Sequence, residues 1–312
     1  MLRYFCLTCI CIVVALSRPL SAASSYAGEF LALGAGARAM ALGSAYVAVV
    51  DDATAGYWNS AALANLQGRQ LHLMHAERFS GLVKNDFFAL GLPRKWVDGL
   101  SLNLIRVGVD DIEFTSLQDP GRPLGPNNRP VVSSTVSSAD YALYLSGGHR
   151  FGGKLALGAS VKLIYRDIAS FSAQGVGLDL GLRYRISSAI ALAANVRDVT
   201  TTPIVWDNDT TDRIQPSLLL GVAYTIQVAG GRAIAAFASR AGGDATDESG
   251  AEPLNAGVEY WYGNLALRAG MEDGRQAFGL GLAPHKRINL DLAYLAHDEL
   301  ESTYRFSAGL RF

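Results

Sequence analysis

From Leu155 to Arg166 the chain reads LALGASVKLIYR, and its two alternate sets of residues differ in character. Leu155, Leu157, Ala159, Val161, Leu163 and Tyr165 make one face, and Ala156, Gly158, Ser160, Lys162, Ile164 and Arg166 make the other. Period two is the mark of a strand whose faces meet different surroundings. The next segment repeats it, with Val176, Leu178, Leu180, Leu182 and Tyr184 set against Gly177, Asp179, Gly181, Arg183 and Arg185. Segments of this kind, separated by turn residues, continue from Gln70 to Phe312. They predict strands at 70–79, 86–93, 100–110, 138–149, 155–169, 173–185, 189–198, 215–226, 232–240, 254–262, 264–272, 276–283, 287–296 and 303–312. That is about fourteen, an even number, as a single-chain bacterial barrel requires.

No apolar run beyond the first twenty-odd residues approaches the roughly 18 residues a membrane helix needs. Only 18% of residues are charged and 33 are Gly, where a soluble domain carries about a quarter charged. Low charge without membrane helices leaves a closed sheet as the solution that satisfies the backbone inside lipid. The fold class expected is therefore all-β: a transmembrane antiparallel up-and-down barrel. A net charge of -1 provides no field to draw nucleic acid.

The connections sort by length. If the first strand rises from the periplasm, the long stretches 111–137, 199–214 and 241–253 all follow upward strands. The turns at 151–154, 187–188, 227–231, 263 and 284–287 follow downward ones. Short periplasmic turns and long outer loops are the habit of bacterial barrels.

The faces sort by chemistry. The outward set is Leu, Val, Ile, Ala, Tyr and Phe, whereas the inward set carries Lys162, Arg166, Asp179, Arg183, Arg197, Glu259, Arg268, Glu272, Asp291, Arg305 and Arg311. Both signs are present, so these side chains can pair across a lumen as a charge lattice, or they can line a ligand path. Arg106 shares the parity of Leu100, Leu102 and Leu104, which calls for a bulge or an early exit from the membrane. Tyr141, Tyr165, Tyr184, Tyr224, Tyr260, Tyr262, Tyr294 and Tyr304 suit the aromatic girdles of the two interfaces. The last strand alternates Tyr304, Phe306, Ala308, Leu310 and Phe312 with Arg305, Ser307, Gly309 and Arg311. A C-terminal aromatic of this kind resembles the signal read by the outer-membrane assembly machinery.

The N-terminus reads as a cleaved secretory signal over residues 1–23: Arg3, an apolar run from Tyr4 to Leu16, then small residues at Ser21-Ala22-Ala23. Cys6, Cys9 and Cys11 all lie within it, so a mature chain has no thiolate nucleophile, disulfide or Cys-based metal site.

Residues 26–68 do not alternate. They are rich in small residues, with short helical stretches such as Ser60 to Leu66. The run from Gly36 to Ala48 (GARAMALGSAYVA), then Asp51-Asp52-Ala53-Thr54, then Tyr57-Trp58-Asn59-Ser60-Ala61-Ala62-Leu63-Ala64, resembles the N-terminal signature of the PorV/PorQ-like branch of the FadL outer-membrane superfamily. Its conserved-type positions here are Arg38, Gly43, Asp51, Asp52 and Asn59. One departure is Ser60, where the family pattern has Pro; the fixed φ is lost, and Ser60 is left as a candidate cap. The resemblance implies that residues 24–69 form a hatch entering a barrel of residues 70–312. Asp51 and Asp52 then either face basic lumen residues or form a solvated periplasmic turn. It also implies an outer-membrane location and passive transport of small hydrophobic molecules such as fatty acids. The alternative is a PorV-like partner or cargo shuttle of type IX secretion. The partners expected are outer-membrane lipid, the assembly machinery, and either a hydrophobic ligand or secretion proteins.

Other motifs fail on context. Gly34-Ala35-Gly36-Ala37-Arg38-Ala39 fits a dinucleotide fingerprint only in letters, because no strand precedes it. His72 and His75 fall on opposite faces of one strand. There is no Gly-x-Ser-x-Gly elbow. No catalytic constellation, metal site or cofactor site is expected.

Overall fold

A computed structural model describes residues 26–243, 254–297 and 302–312; the signal-sequence reading and most of the 241–253 loop lie outside them. The alternating segments form β1 (Gln70–Arg78), β2 (Val83–Pro93), β3 (Gly99–Leu117), β4 (Pro130–Phe151), β5 (Leu155–Ile168), β6 (Phe171–Arg185) and β7 (Ile190–Arg197). A small hairpin follows, β8 (Thr202–Trp206) and β9 (Thr211–Ile214). Then come β10 (Ser217–Val228), β11 (Gly231–Gly242), β12 (Leu254–Tyr262), β13 (Leu265–Glu272), β14 (Arg275–His285), β15 (Ile288–Leu295) and β16 (Thr303–Arg311).

Every barrel strand pairs antiparallel with its neighbours, β7 passes directly to β10, and β1 pairs with β16 from Gln70↔Arg311 to Glu77↔Tyr304. Fourteen strands thus close a ring, and all fourteen predicted segments are in it. The hairpin β8–β9 leans on β6 through Ala173↔Trp206 to Gly175↔Ile204. Two stretches read as loops are therefore partly strand. The 199–214 connection is this hairpin, and 111–137 is the extension of β3 and β4 to a turn beyond Leu117. The extensions of β3 and β4 are exposed on both faces, so neither face needs to be greasy, while the hairpin strands are too short for alternation to register although Ile204 and Ile214 are buried.

The two faces are as patterned. On β5, Ala156, Ser160, Lys162 and Ile164 are buried while Leu157, Val161, Leu163 and Tyr165 face outward. Arg106 also points outward, with no bulge at its position: β3 runs in register with β4 from Gly99 through Val109, and the irregularities come after it. Its guanidinium lies 3.5 Å from Asp86 and 3.9 Å from Asp110. Together with His75, 2.7 Å from Asp86, these groups end the apolar band early over β1–β3, as an early exit requires.

A ring of fourteen strands is wider than the roughly eight whose own side chains fill the interior. Residues 26–68 occupy that space. Single-turn helices at Glu29–Ala32, Ala37–Ala41 and Ala55–Trp58, and a 3₁₀ stretch at Ser60–Asn65, are strung between glycines. Gly34, Gly36 and Gly43 have φ of +80°, +85° and +59°, a region that glycine enters without a steric penalty. The Ala37–Ala41 helix packs on β13–β16, Ala55–Trp58 on β3 and β4, and Ser60–Asn65 on β2–β6. Wall glycines permit backbone-to-backbone approach. A Cβ on Gly158 would stand 2.4 Å from Ala61 N, and one on Gly257 would stand 2.4 Å from the Leu42 carbonyl oxygen.

Candidate functional site

The hydrophobic heart of the molecule lies between this segment and the wall. Tyr57 meets Trp58, Tyr144 and Phe87 edge-on at centroid distances of 5.0, 5.9 and 6.2 Å, and Trp58 meets Tyr46 at 5.7 Å. Such geometries favour the positive ring edge over a negative face. The polar tips are satisfied locally: Tyr57 Oη donates to Leu31 O (2.6 Å) and Trp58 Nε1 to Ala35 O (2.8 Å). Arg197 lies over the Tyr57 ring at 4.9 Å, an attraction strengthened by burial.

Around this heart the inward charges form three groups. The first joins segment to wall. Arg38 grips Glu259 with two bonds, Nε to Oε2 at 2.7 Å and Nη2 to Oε1 at 2.8 Å, and its Nη1 reaches Asp51 at 2.7 Å. Glu259 also accepts from Arg268 Nε at 2.7 Å, and Arg268 Nη1 donates to Asp291 at 2.8 Å. Five charges of alternating sign therefore run from the segment through β12 and β13 to β15. The side chains of Glu259 and Arg268 are fully buried, where an unpaired charge is costly and a bidentate partner is the remedy. Burial pushes the Tyr46 phenol well above its ordinary value, so it stays a neutral hydroxyl that accepts from Arg38 Nη1 at 3.2 Å.

The second group holds β5, β6 and the end of β7: Lys162 Nζ lies 3.2 Å from Asp179 and 2.8 Å from Asp198, while Thr202 Oγ1 donates to Asp198. In the third, Arg166 Nε meets Asp140 at 2.7 Å and its guanidinium sits 5.5 Å over Phe30. Asp140 and Asp198 are partners that the sequence reading passed over. Inward parity beside Tyr141 marked the first; the second falls on the parity opposite Arg197 at the end of the predicted 189–198 strand, whereas β7 ends at Arg197 and frees Asp198 to turn inward.

Some inward cations hold backbone instead of carboxylates. Arg305 donates to Leu33 O (2.7 Å) and Gly34 O (3.1 Å), and Arg183 donates to Val50 O (2.8 Å). Asp51 and Asp52 do not ion-pair with the basic wall. Asp51 is held by Arg38 of its own segment, and Asp52 accepts from Thr54 N at 2.9 Å. Asn59 ties segment to barrel: Nδ2 donates to Val47 O and Leu182 O, both at 3.1 Å, and Oδ1 accepts from Ala61 N. Asn59 is thus the cap of the 3₁₀ stretch. Ser60 Oγ is buried without a partner, so the cap role offered to Ser60 is corrected. Gly43 packs against the Met271 backbone, leaving no room for a side chain. At the C-terminus, Tyr304, Phe306, Leu310 and Phe312 all face outward, away from the lumen.

A model of the family described as Uncharacterised protein family (UPF0164) matches residues 18–196, more than half of the chain. The chain belongs to that family. No curated protein matches it. Among solved structures, it is similar to the CymD monoaromatic hydrocarbon channel, with a TM-score of 0.57, 14% identity, and 90% of this chain and 98% of that one covered. The toluene transporter TbuX of Ralstonia pickettii gives 0.54, 12%, 89% and 98%. The toluene transporter TodX of Pseudomonas putida gives 0.53, 15%, 88% and 96%. At these identities the likeness is one of fold: this member of UPF0164 is a closed antiparallel barrel with the architecture of those three solved structures.

Proposed function

We propose that the protein sits in the outer membrane and passively binds and passes small hydrophobic molecules, with residues 26–68 as a movable hatch. One observation carries the reading. A segment with an aromatic and alanine-rich core fills a barrel wide enough to conduct, and only non-covalent contacts hold it there. The fold neighbours that carry toluene and other monoaromatic hydrocarbons support this passenger class, and long-chain fatty acids share its chemistry. Purified protein in liposomes should accelerate uptake of toluene or a long-chain fatty acid over an unrelated barrel. Equal rates would end the proposal.

A second reading, a PorV-like partner or cargo shuttle of type IX secretion, draws support from the closed lumen. Every strand of the ring is paired, and a large apolar hollow, about 640 Å³, lies on the outer wall among Leu73, Leu280, Leu290 and Phe306. Detergent pull-downs should then recover secretion components or cargo, and an empty pull-down counts against it.

A further inference from the structure

The short-turn end of the barrel opens into a vestibule of about 700 Å³ between the wall and the N-terminal segment. Its lining is markedly one-signed, with eight Arg and Lys side chains against three carboxylates. Two of those carboxylates, Asp51 and Asp291, are already held by Arg38 and Arg268. The other six cations are Arg183, Arg185, Arg232, Lys286, Arg287 and Arg311, and none has an ion-pair partner among the described residues. Arg183 and Arg185 spend single donors on the neutral acceptors Val50 O and Asn65 Oδ1.

Buried donors beneath this ring point the same way. Arg268 lines the vestibule with its side chain fully buried, and its Nη2 has no hydrogen-bond partner. The indole Nε1 of Trp261, on the same lining, is likewise buried without one. Native proteins leave few buried donors unpaired, and an ion or ligand is a common explanation where they do. Like charges ringing a concavity focus the field within it and concentrate counter-ions there.

We propose that this vestibule is a binding site for a small organic polyanion, one carrying two or more carboxylate or phosphate groups. A single negative charge leaves most of the ring uncompensated, whereas a multiply charged anion can bridge several guanidinium groups with charge-assisted bonds. A small molecule fits better than an acidic protein face because the unpaired cations ring a hollow between wall and segment. The proposal is independent of what passes through the lumen.

The test uses the full-length barrel in detergent at fixed ionic strength, titrated calorimetrically with citrate and tripolyphosphate, and with acetate as the single-charge probe. One-to-one binding of a polyanion at least tenfold tighter than acetate is expected. Arg232→Gln with Arg287→Gln, the first at the start of β11 and the second on the turn between β14 and β15, should weaken it at least tenfold. Lys84→Gln, a cation on the outer face of β2, should leave it unchanged. Absence of saturable binding up to millimolar probe would overturn the proposal. So would several weak equivalents per chain, or equal loss in the Lys84 variant. Binding of polyglutamate without binding of citrate or tripolyphosphate would overturn it in favour of a macromolecular partner.

Discussion

Glu259→Gln tests whether charge fixes the hatch. The carboxylate accepts from Arg38 on the segment and Arg268 on the wall, and its side chain is fully buried. Glutamine keeps the shape but turns one acceptor oxygen into a donor amide, so at least one of the three accepted bonds is lost, and the charge with it. Removing one member of a buried ion network costs about 3–5 kcal/mol, because the remaining charge is left uncompensated. Arg38 keeps Asp51 and Arg268 keeps Asp291, so the low end, about 3 kcal/mol, applies. Most of it should appear as easier opening of the segment, since the wall retains its strand pairing. Each 1.4 kcal/mol is about tenfold in an equilibrium, which makes the open state roughly a hundredfold more populated. Ser44→Cys, a near-isosteric thiol at a site only 8% exposed, reports that state by its labelling rate, provided opening and closing are fast relative to labelling. Arg38→Met alone should accelerate labelling too, and adding it to Glu259→Gln should accelerate it less than the two single effects combined. A change under about threefold in Glu259→Gln would refute the view that this network holds the segment.

Three further outcomes follow from the same geometry. Asn59→Ala removes two donated bonds and a cap acceptor, so it should lower stability to urea by about 2–4 kcal/mol; Asn59→Asp, which keeps the cap acceptor, should fall between. A Cβ on Gly91 would lie 3.1 Å from that of Ala53, a few tenths short of the usual disulfide spacing of about 3.5–4.5 Å. The pair Ala53→Cys, Gly91→Cys should therefore block uptake when oxidised and recover it on reduction, and unimpaired uptake by the locked protein would exclude passage by hatch movement. Deleting Phe312 should reduce the folded barrel recovered from cells without lowering the urea midpoint of protein refolded in vitro; equal loss in both would make its role purely structural.

The ring of fourteen strands was legible because lipid on one side and a polar interior on the other impose period two on every strand that crosses. Arg106 stood out for the same reason, being a charge on the greasy parity. Pairing inside the lumen was far less legible. Lys162 opposes Gly177 in register yet bonds Asp179, two residues along, and Arg38 finds Glu259 across 221 positions. Such partners depend on where a non-repeating segment comes to rest. The segment itself was recognisable by motif, but its contacts were not, because alanine and glycine permit many seatings and sterics select one. The vestibule cations belong to different strands and turns, and only ring closure gathers them.

The glycine-lined contacts have a consequence for how the molecule is made. Backbone lies on backbone at Gly158 and Gly257, on different parts of the wall. The seam is finished by mutual bonds between Arg69 and Phe312, with Arg69 N to Phe312 O at 3.1 Å and Phe312 N to Arg69 O at 2.9 Å. So closely fitted a core leaves little slack in the finished cylinder. Residues 26–68 serve as its mandrel: the staves stand around them, and the final stave locks to the first beside that form.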